Sequence, residues 1–114
     1  MKKALIVDDN SFLHLMWREA LSGRVEVIFA SSIEEAKREF ALNPDVDAIV
    51  VDSCVSGCGL NTVPLIQEFR LAFKGPMLGI SDVPLFQQKL VEAGCNYSCE
   101  KKFLIVKLCE ILGL

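Results

Sequence analysis

Ala4-Leu5-Ile6-Val7-Asp8-Asp9-Asn10, residues 4–10, sets four apolar residues in a row and then turns acidic. A strand with one wet face alternates apolar and polar side chains, whereas a strand covered on both faces need not. An unbroken run closed by carboxylates therefore predicts a buried strand that ends at a polar edge. The same pattern recurs in the run Ala48 to Val51, where Ile49-Val50-Val51 precedes Asp52. Further runs lie at Val25 to Phe29 and Pro76 to Ile80, with a weaker one at Asn96 to Cys99.

Between these runs the apolar residues take a helical period. From Ser11, a first helix is expected to turn Phe12, Leu13, Met16, Ala20 and Leu21 inward, with Trp17 also packing and Gly23 as its stop. Ser32-Ile33-Glu34-Glu35 reads as a capping box opening a second helix, with Ile33, Ala36, Phe40 and Ala41 inside and Asn43-Pro44-Asp45 ending it. A third helix is expected from near Thr62 to about Phe73, with Pro64 in its first turn and Lys74-Gly75-Pro76 as the break. A fourth follows Asp82, the expected cap, and stops at Gly94. The fifth starts near Phe103 and buries Ile105, Leu108, Cys109 and Leu112. Five βα units in sequence predict an α/β doubly wound parallel sheet with helices on both faces.

The chain has 114 residues, 52% of them hydrophobic and 24% charged, which suits one domain and leaves no room for a separate output domain. Twelve Lys and Arg against fifteen Asp and Glu give a net charge of -3, which argues against direct binding to nucleic acid or acidic lipid. The basic start Met1-Lys2-Lys3 is followed by too short an apolar run for a signal peptide, and no run approaches the roughly 18 residues of a membrane span. Five cysteines, an odd number without an export signal, are expected as reduced thiols in the cytoplasm. Cys54 and Cys58, and Cys95 and Cys99, are spaced CxxxC, which is neither the zinc-ribbon nor the thioredoxin spacing, so packing thiols are expected. The lone His14 is expected on the surface or in helix packing.

In an open parallel sheet the chemistry gathers where strands end. Strand one ends in Asp8-Asp9, strand three in Asp52, strand four in Ser81 and strand five in Glu100-Lys101-Lys102. Carboxylates crowded on one edge repel, and a hard divalent cation relieves that repulsion. Magnesium suits a site of few carboxylates that leaves positions for water and phosphate oxygens. With a hydroxyl and an ammonium beside it, a carboxylate there could attack a phosphoryl group, giving an aspartyl phosphate.

The residues Val7-Asp8-Asp9-Asn10, Ile49-Val50-Val51-Asp52, Gly79-Ile80-Ser81 and the segment Gly94 through Lys101 and Phe103 together resemble the receiver domain of two-component response regulators, the CheY-like family. The resemblance covers essentially the whole chain and implies a flavodoxin-like (βα)5 sheet of order 2-1-3-4-5. It implies that Asp52 is the phosphoacceptor, that Ser81 and Lys101 engage the phosphoryl group, and that Mg2+ is held by Asp8, Asp9, Asp52 and the backbone carbonyl of Cys54, with Asp9 favoured as the direct ligand of the acidic pair. The partners it implies are a sensor histidine kinase or phosphotransfer protein as donor and a downstream protein target, with no nucleic acid and no membrane. Such a chain is a stand-alone phosphorelay switch rather than an enzyme, catalysing only its own phosphorylation and dephosphorylation.

The chain departs from that family at four places. Lys102 replaces the Pro that usually follows the Lys, Asp82 replaces a small residue, Ser98 replaces an aromatic, and the loop after Asp52 is one residue shorter with Ser56 where Pro is common. Lys102, Asp82 and Ser98 motivate an alternative, a degenerate receiver-like module that signals by binding without phosphorylation. A thiol-based metal or redox protein is a third reading, opposed by the cysteine spacing.

Overall fold

Every residue of Ala48–Asp52 is buried, as an apolar run covered on both faces requires, and this strand forms the middle of a five-stranded parallel sheet of order β2-β1-β3-β4-β5. The computed structural model describes residues 1–57 and 59–114; Cys58, with the CxxxC pair it would form with Cys54, lies outside the described residues. In chain order the elements are β1 (Lys2–Val7), α1 (Ser11–Leu21), β2 (Val25–Ala30), α2 (Ile33–Leu42), β3 (Ala48–Asp52), α3 (Val63–Ala72), β4 (Met77–Ile80), α4 (Pro84–Ala93), β5 (Tyr97–Cys99), a short 3-10 turn (Lys101–Phe103) and α5 (Leu104–Leu112).

Alternation along each strand divides the apolar residues between two cores. Leu5, Val7, Ile49, Val51 and Met77 face α2, α3 and α4, where Ala36, Leu65, Ile66, Phe69 and Leu90 cover them. Ala4, Ile6, Ala48, Val50, Leu78 and Ile80 face the opposite way, against Trp17 and Leu21 of α1 and Leu104, Leu108 and Leu112 of α5. A Cβ on Gly79 would lie 2.8 Å from Leu90 Cβ, so only glycine lets α4 come this close to β4.

Register brings the strand ends level. Val7 pairs with Ala30 on one side and Val51 on the other, Asp52 pairs with Ile80, and Ile80 pairs with Cys99. Asp8, Asp52, Ser81 and the segment from Glu100 therefore emerge at one edge.

Four local expectations are corrected. On α1, Phe12 is 67% and Met16 52% exposed and Ala20 also faces solvent, while Trp17 is only 5% exposed. Apolar residues occupy more than one face of that helix, and the sheet takes the face of Leu13, Trp17 and Leu21. On α2, Ala41 is exposed, and Glu35 Oε1 accepts from Ser31 N–H rather than closing the box on Ser32, whose Oγ does accept from Glu35 N–H. On α5, Leu104 is fully buried and Ile105 only partly. Asp82 does not cap α4: Val83 is the N-cap, and Asp82 Oδ1 instead accepts from the Lys101 N–H at 3.1 Å. Among the described residues no helix is long and apolar enough to cross a membrane.

Candidate functional site

Three carboxylates meet at the carboxyl edge of β1 and β3. Asp8 is fully buried, Asp52 is 4% exposed, and Asp9 is open to solvent. One oxygen from each lies within 4.8 Å of the others. The Lys101 ammonium, carried in by the 3-10 turn, stands 3.1 Å from Asp8 Oδ2 and 2.9 Å from Asp52 Oδ2. The Lys101–Lys102 peptide bond is trans, so the lysine reaches the pocket without the backbone geometry that a proline would favour.

Each carboxylate is held by the backbone around it. Asp8 Oδ1 accepts from the Asn10 N–H at 2.8 Å, and Asn10 also caps α1 through its Oδ1. Asp52 Oδ1 accepts from the Ser53 N–H at 2.8 Å. Asp9 Oδ2 accepts from the Ser56 N–H at 2.8 Å. Ser56 takes the left-handed conformation, φ 57°, and its Oγ donates to the Ser31 carbonyl at 3.1 Å, tying the loop after β3 to the end of β2. Cys54 is partly buried in that loop, with its thiol 3.0 Å from the Gly57 carbonyl.

The electrostatics follow from this crowding. Three carboxylates against one ammonium leave two negative charges uncompensated if all are ionised. Burial pushes the Asp52 carboxyl up to about 6; the Lys101 hydrogen bond resists that shift and the Asp8 charge adds to it. Burial works against the Lys101 charge, but its contacts to Asp52 and Asp8 prevail and hold the ammonium above its ordinary value. Among the described residues Asp8 Oδ2 is the one buried side-chain polar atom without an aligned hydrogen bond, despite the ammonium 3.1 Å away. A buried oxygen left in this state, beside two more hard oxygen donors and excess negative charge, fits a divalent cation.

Ser81 is buried at the end of β4, 3.3 Å from Ser53 Oγ, and its own Oγ accepts from the Val83 N–H at 3.1 Å. Its carbonyl accepts from Gln87 Nε2 at 2.8 Å, and Gln87 Oε1 lies 3.5 Å from Ser98 Oγ on β5. Ser98 thus meets a polar side chain of α4, while Tyr97 points away beneath the Lys107 ammonium, 5.2 Å from its ring centre. Cys95 is buried and Cys99 partly buried, with both thiols pushed up, to about 12 and about 11, by burial. Neither belongs to the acidic cluster, as packing thiols should not.

Several supporting residues gave no signal in the sequence. Thr62 Oγ1 donates to the Asp52 carbonyl at 2.7 Å, and Asn61 makes two 2.9 Å hydrogen bonds to the Val55 backbone. His14 Nε2 donates to the Asp8 carbonyl at 2.5 Å. A hydroxyl or amide just before α3 could have been read as a loop anchor, but the partners are set by the fold.

No protein-family model matches the chain, and no curated protein matches its sequence. Solved structures do match its fold. A two-component response regulator from Clostridium difficile is 18% identical, with a TM-score of 0.84 over 99% of this chain and 97% of that one. The chemotaxis protein CheY4 of Vibrio cholerae is 21% identical, with a TM-score of 0.81 over 97% and 98%. A Burkholderia pseudomallei response regulator, solved with a phosphorylated aspartic acid, a calcium ion and citrate, is 19% identical, with a TM-score of 0.79 over 98% of this chain and 66% of that one. The chain has the CheY-like fold of response regulator receiver domains, as its strand order and the resemblance implied.

Proposed function

We propose that the chain is a receiver switch: Asp52 accepts a phosphoryl group from a phosphohistidine of a sensor kinase or phosphotransfer protein, and a downstream protein reads the altered surface. The observation that carries this reading is the Lys101 ammonium set between Asp8 and Asp52 at 3.1 and 2.9 Å, with Asp9 completing the acidic cluster. Structural caps and solvated loop edges do not need a buried carboxylate pair that shares one cation.

In the reaction an Asp52 carboxylate oxygen attacks phosphorus, the phosphorus–nitrogen bond of the donor breaks, and its electron pair returns to the imidazole. An Asp52 carboxyl that titrates near 6 is largely ionised at neutral pH and so is available as the nucleophile. Asp8, Asp9, Asp52 and the Cys54 carbonyl would hold Mg2+, which when bound neutralises charge on the phosphoryl oxygens. Lys101 supplies a second positive charge, and Ser81 a hydroxyl to follow the phosphoryl group. Driving a switch from 1:99 to 99:1 takes about 5.5 kcal/mol of preference for one state, to which these charge-assisted contacts contribute. The protein then acts on itself rather than on a released substrate. A phosphohistidine donor and reduced thiols suit the cytoplasm.

A second reading, a module that signals by binding alone, draws on the Gln87 bridge between Ser81 and Ser98 and on the Asp82 contact to the Lys101 backbone. Both hold α4, β5 and the turn that carries Lys101 in fixed contact with the site. Intact mass after incubation with a small acyl phosphate and Mg2+ separates the two readings. One added phosphoryl group on the wild type and none on Asp52→Asn is the expected result. An unmodified wild type, under conditions that label a control receiver, refutes phosphorylation and leaves binding alone.

A further inference from the structure

We infer that His14 is a positioning residue for the acidic pair, holding the main-chain carbonyl of Asp8 and thereby the peptide from which Asp9 is suspended. His14 Nε2 lies 2.5 Å from the Asp8 carbonyl oxygen. A carbonyl only accepts, so Nε2 carries the hydrogen and the contact is directional. The imidazole has little freedom to leave. It stacks on Phe29 of β2, with ring centres 4.4 Å apart and planes 17° from parallel, and the Arg18 guanidinium lies 4.9 Å from the centre of the same Phe29 ring.

The backbone around Asp8 shows what this contact adds. The Asp8 N–H donates to the Ala30 carbonyl at 3.0 Å, which anchors the residue from the β2 side. Its Oδ1 is anchored by the Asn10 N–H. The carbonyl, turned toward α1, is anchored by His14. Because the Asp8–Asp9 peptide is planar, fixing that carbonyl also fixes the Asp9 nitrogen and the direction in which Asp9 leaves β1. Asp9 needs such help more than Asp8 does: its side chain is exposed, and its hydrogen bond comes from Ser56 across the loop after β3. Without the imidazole the peptide can turn about the two soft dihedrals on either side of it, and the Asp9 oxygen drifts from the other two. The phenyl ring of Phe29 and the guanidinium of Arg18 thus support the cluster through His14.

This role rests on the metal-binding part of the proposed function, and the experiment separates the two. Mn2+ binding is measured calorimetrically, and by the paramagnetic resonance of free Mn2+, for wild type, His14→Phe and His14→Gln. Phenylalanine keeps an aromatic ring against Phe29 but has no donor. Glutamine presents an amide N–H at similar reach. Loss of an outer partner of a ligand commonly weakens metal binding by about 10-fold to 100-fold. His14→Phe should therefore bind Mn2+ about 10-fold more weakly while still unfolding cooperatively in urea, and His14→Gln should recover most of the affinity. His14→Leu repeats the donor-free case if the phenyl ring is not accommodated. Equal affinity in wild type and the donor-free variants overturns the inference, as does a glutamine variant no better than phenylalanine. A wild type that binds no Mn2+ removes the metal site itself, and the role of His14 with it.

Discussion

Replacing Asp52 with Asn should stabilise the metal-free protein at neutral pH, by an amount that follows from the pocket. Burial raises the Asp52 carboxyl from 3.8 to about 6, against the hydrogen bond from Lys101 and with help from the Asp8 charge. A carboxyl that titrates higher when folded binds protons more readily in the native state between these two values. Stability therefore falls as pH rises through that window, and the loss is complete above it. At about 1.4 kcal/mol per pK unit the loss is on the order of 2 to 3 kcal/mol. Asparagine fills the same space and does not titrate, so its profile lacks this slope. The stability of Asp52→Asn relative to wild type should grow by about 2 to 3 kcal/mol between about pH 4 and pH 8. Urea unfolding in a chelating buffer, followed through the fluorescence of the buried Trp17, reads this as a midpoint difference that widens by roughly 1 to 2 M. Parallel pH profiles for the two proteins would refute the argument that ionising Asp52 strains the folded pocket. Mg2+ added at neutral pH should narrow the gap, since it stabilises only the form that binds it.

Three further outcomes follow from single residues. Gly79→Ala drives a Cβ to 2.8 Å from Leu90 Cβ and should cost about 1 to 3 kcal/mol by urea denaturation; a neutral result would mean that α4 can retreat freely. Arg70 donates to the carbonyls of Gly94, Phe73 and Gly75 at 2.8 to 2.9 Å and to Asn96 Oδ1 at 2.5 Å, so Arg70→Lys should lose about 2 kcal/mol although the charge is kept. Its thermal unfolding midpoint would then fall by several degrees, and an unchanged midpoint counts against the fork. Asp82→Ala leaves the Lys101 N–H without its 3.1 Å partner, and amide exchange at Lys101 should quicken while exchange in β3 stays slow. Equal exchange at Lys101 would show that Asp82 does not hold the turn.

The sheet was legible because its signal is repeated: apolar runs such as Leu5-Ile6-Val7 and Ile49-Val50-Val51, each closed by carboxylate, can be buried on both faces in few ways. The convergence of Asp8, Asp9, Asp52 and Lys101 was legible for the same reason, since residues that close parallel strands share an edge. The facing of α1 was not. Phe12, Leu13, Leu15, Met16 and Trp17 are all apolar, so the helical period alone does not choose the inner face; contact with β2 and α5 chooses it. Asp82 was misread because capping preference is local, whereas its partner lies 19 residues further along the chain. The sequence places His14 on the surface or in helix packing. It does pack, on Phe29, but its bond to Asp8 depends on the angle at which α1 leaves the sheet edge, which composition does not encode.

The ion contacts of Lys101 join residues near opposite ends of the chain, since Asp8 closes the first strand and Lys101 follows the last. Contacts this remote in sequence carry the loop-closure entropy of the long chain between them, a cost that ordering the intervening βα units reduces. During synthesis Asp8, Asp9 and Asp52 leave the ribosome well before their cation does. Until then the three acids have no lysine between them, and the strand edge they occupy is at its most repulsive. Closure of the acidic pocket by Lys101 therefore doubles as a marker of completed assembly: a half-made sheet carries Asp52 but not the ammonium that shares its charge.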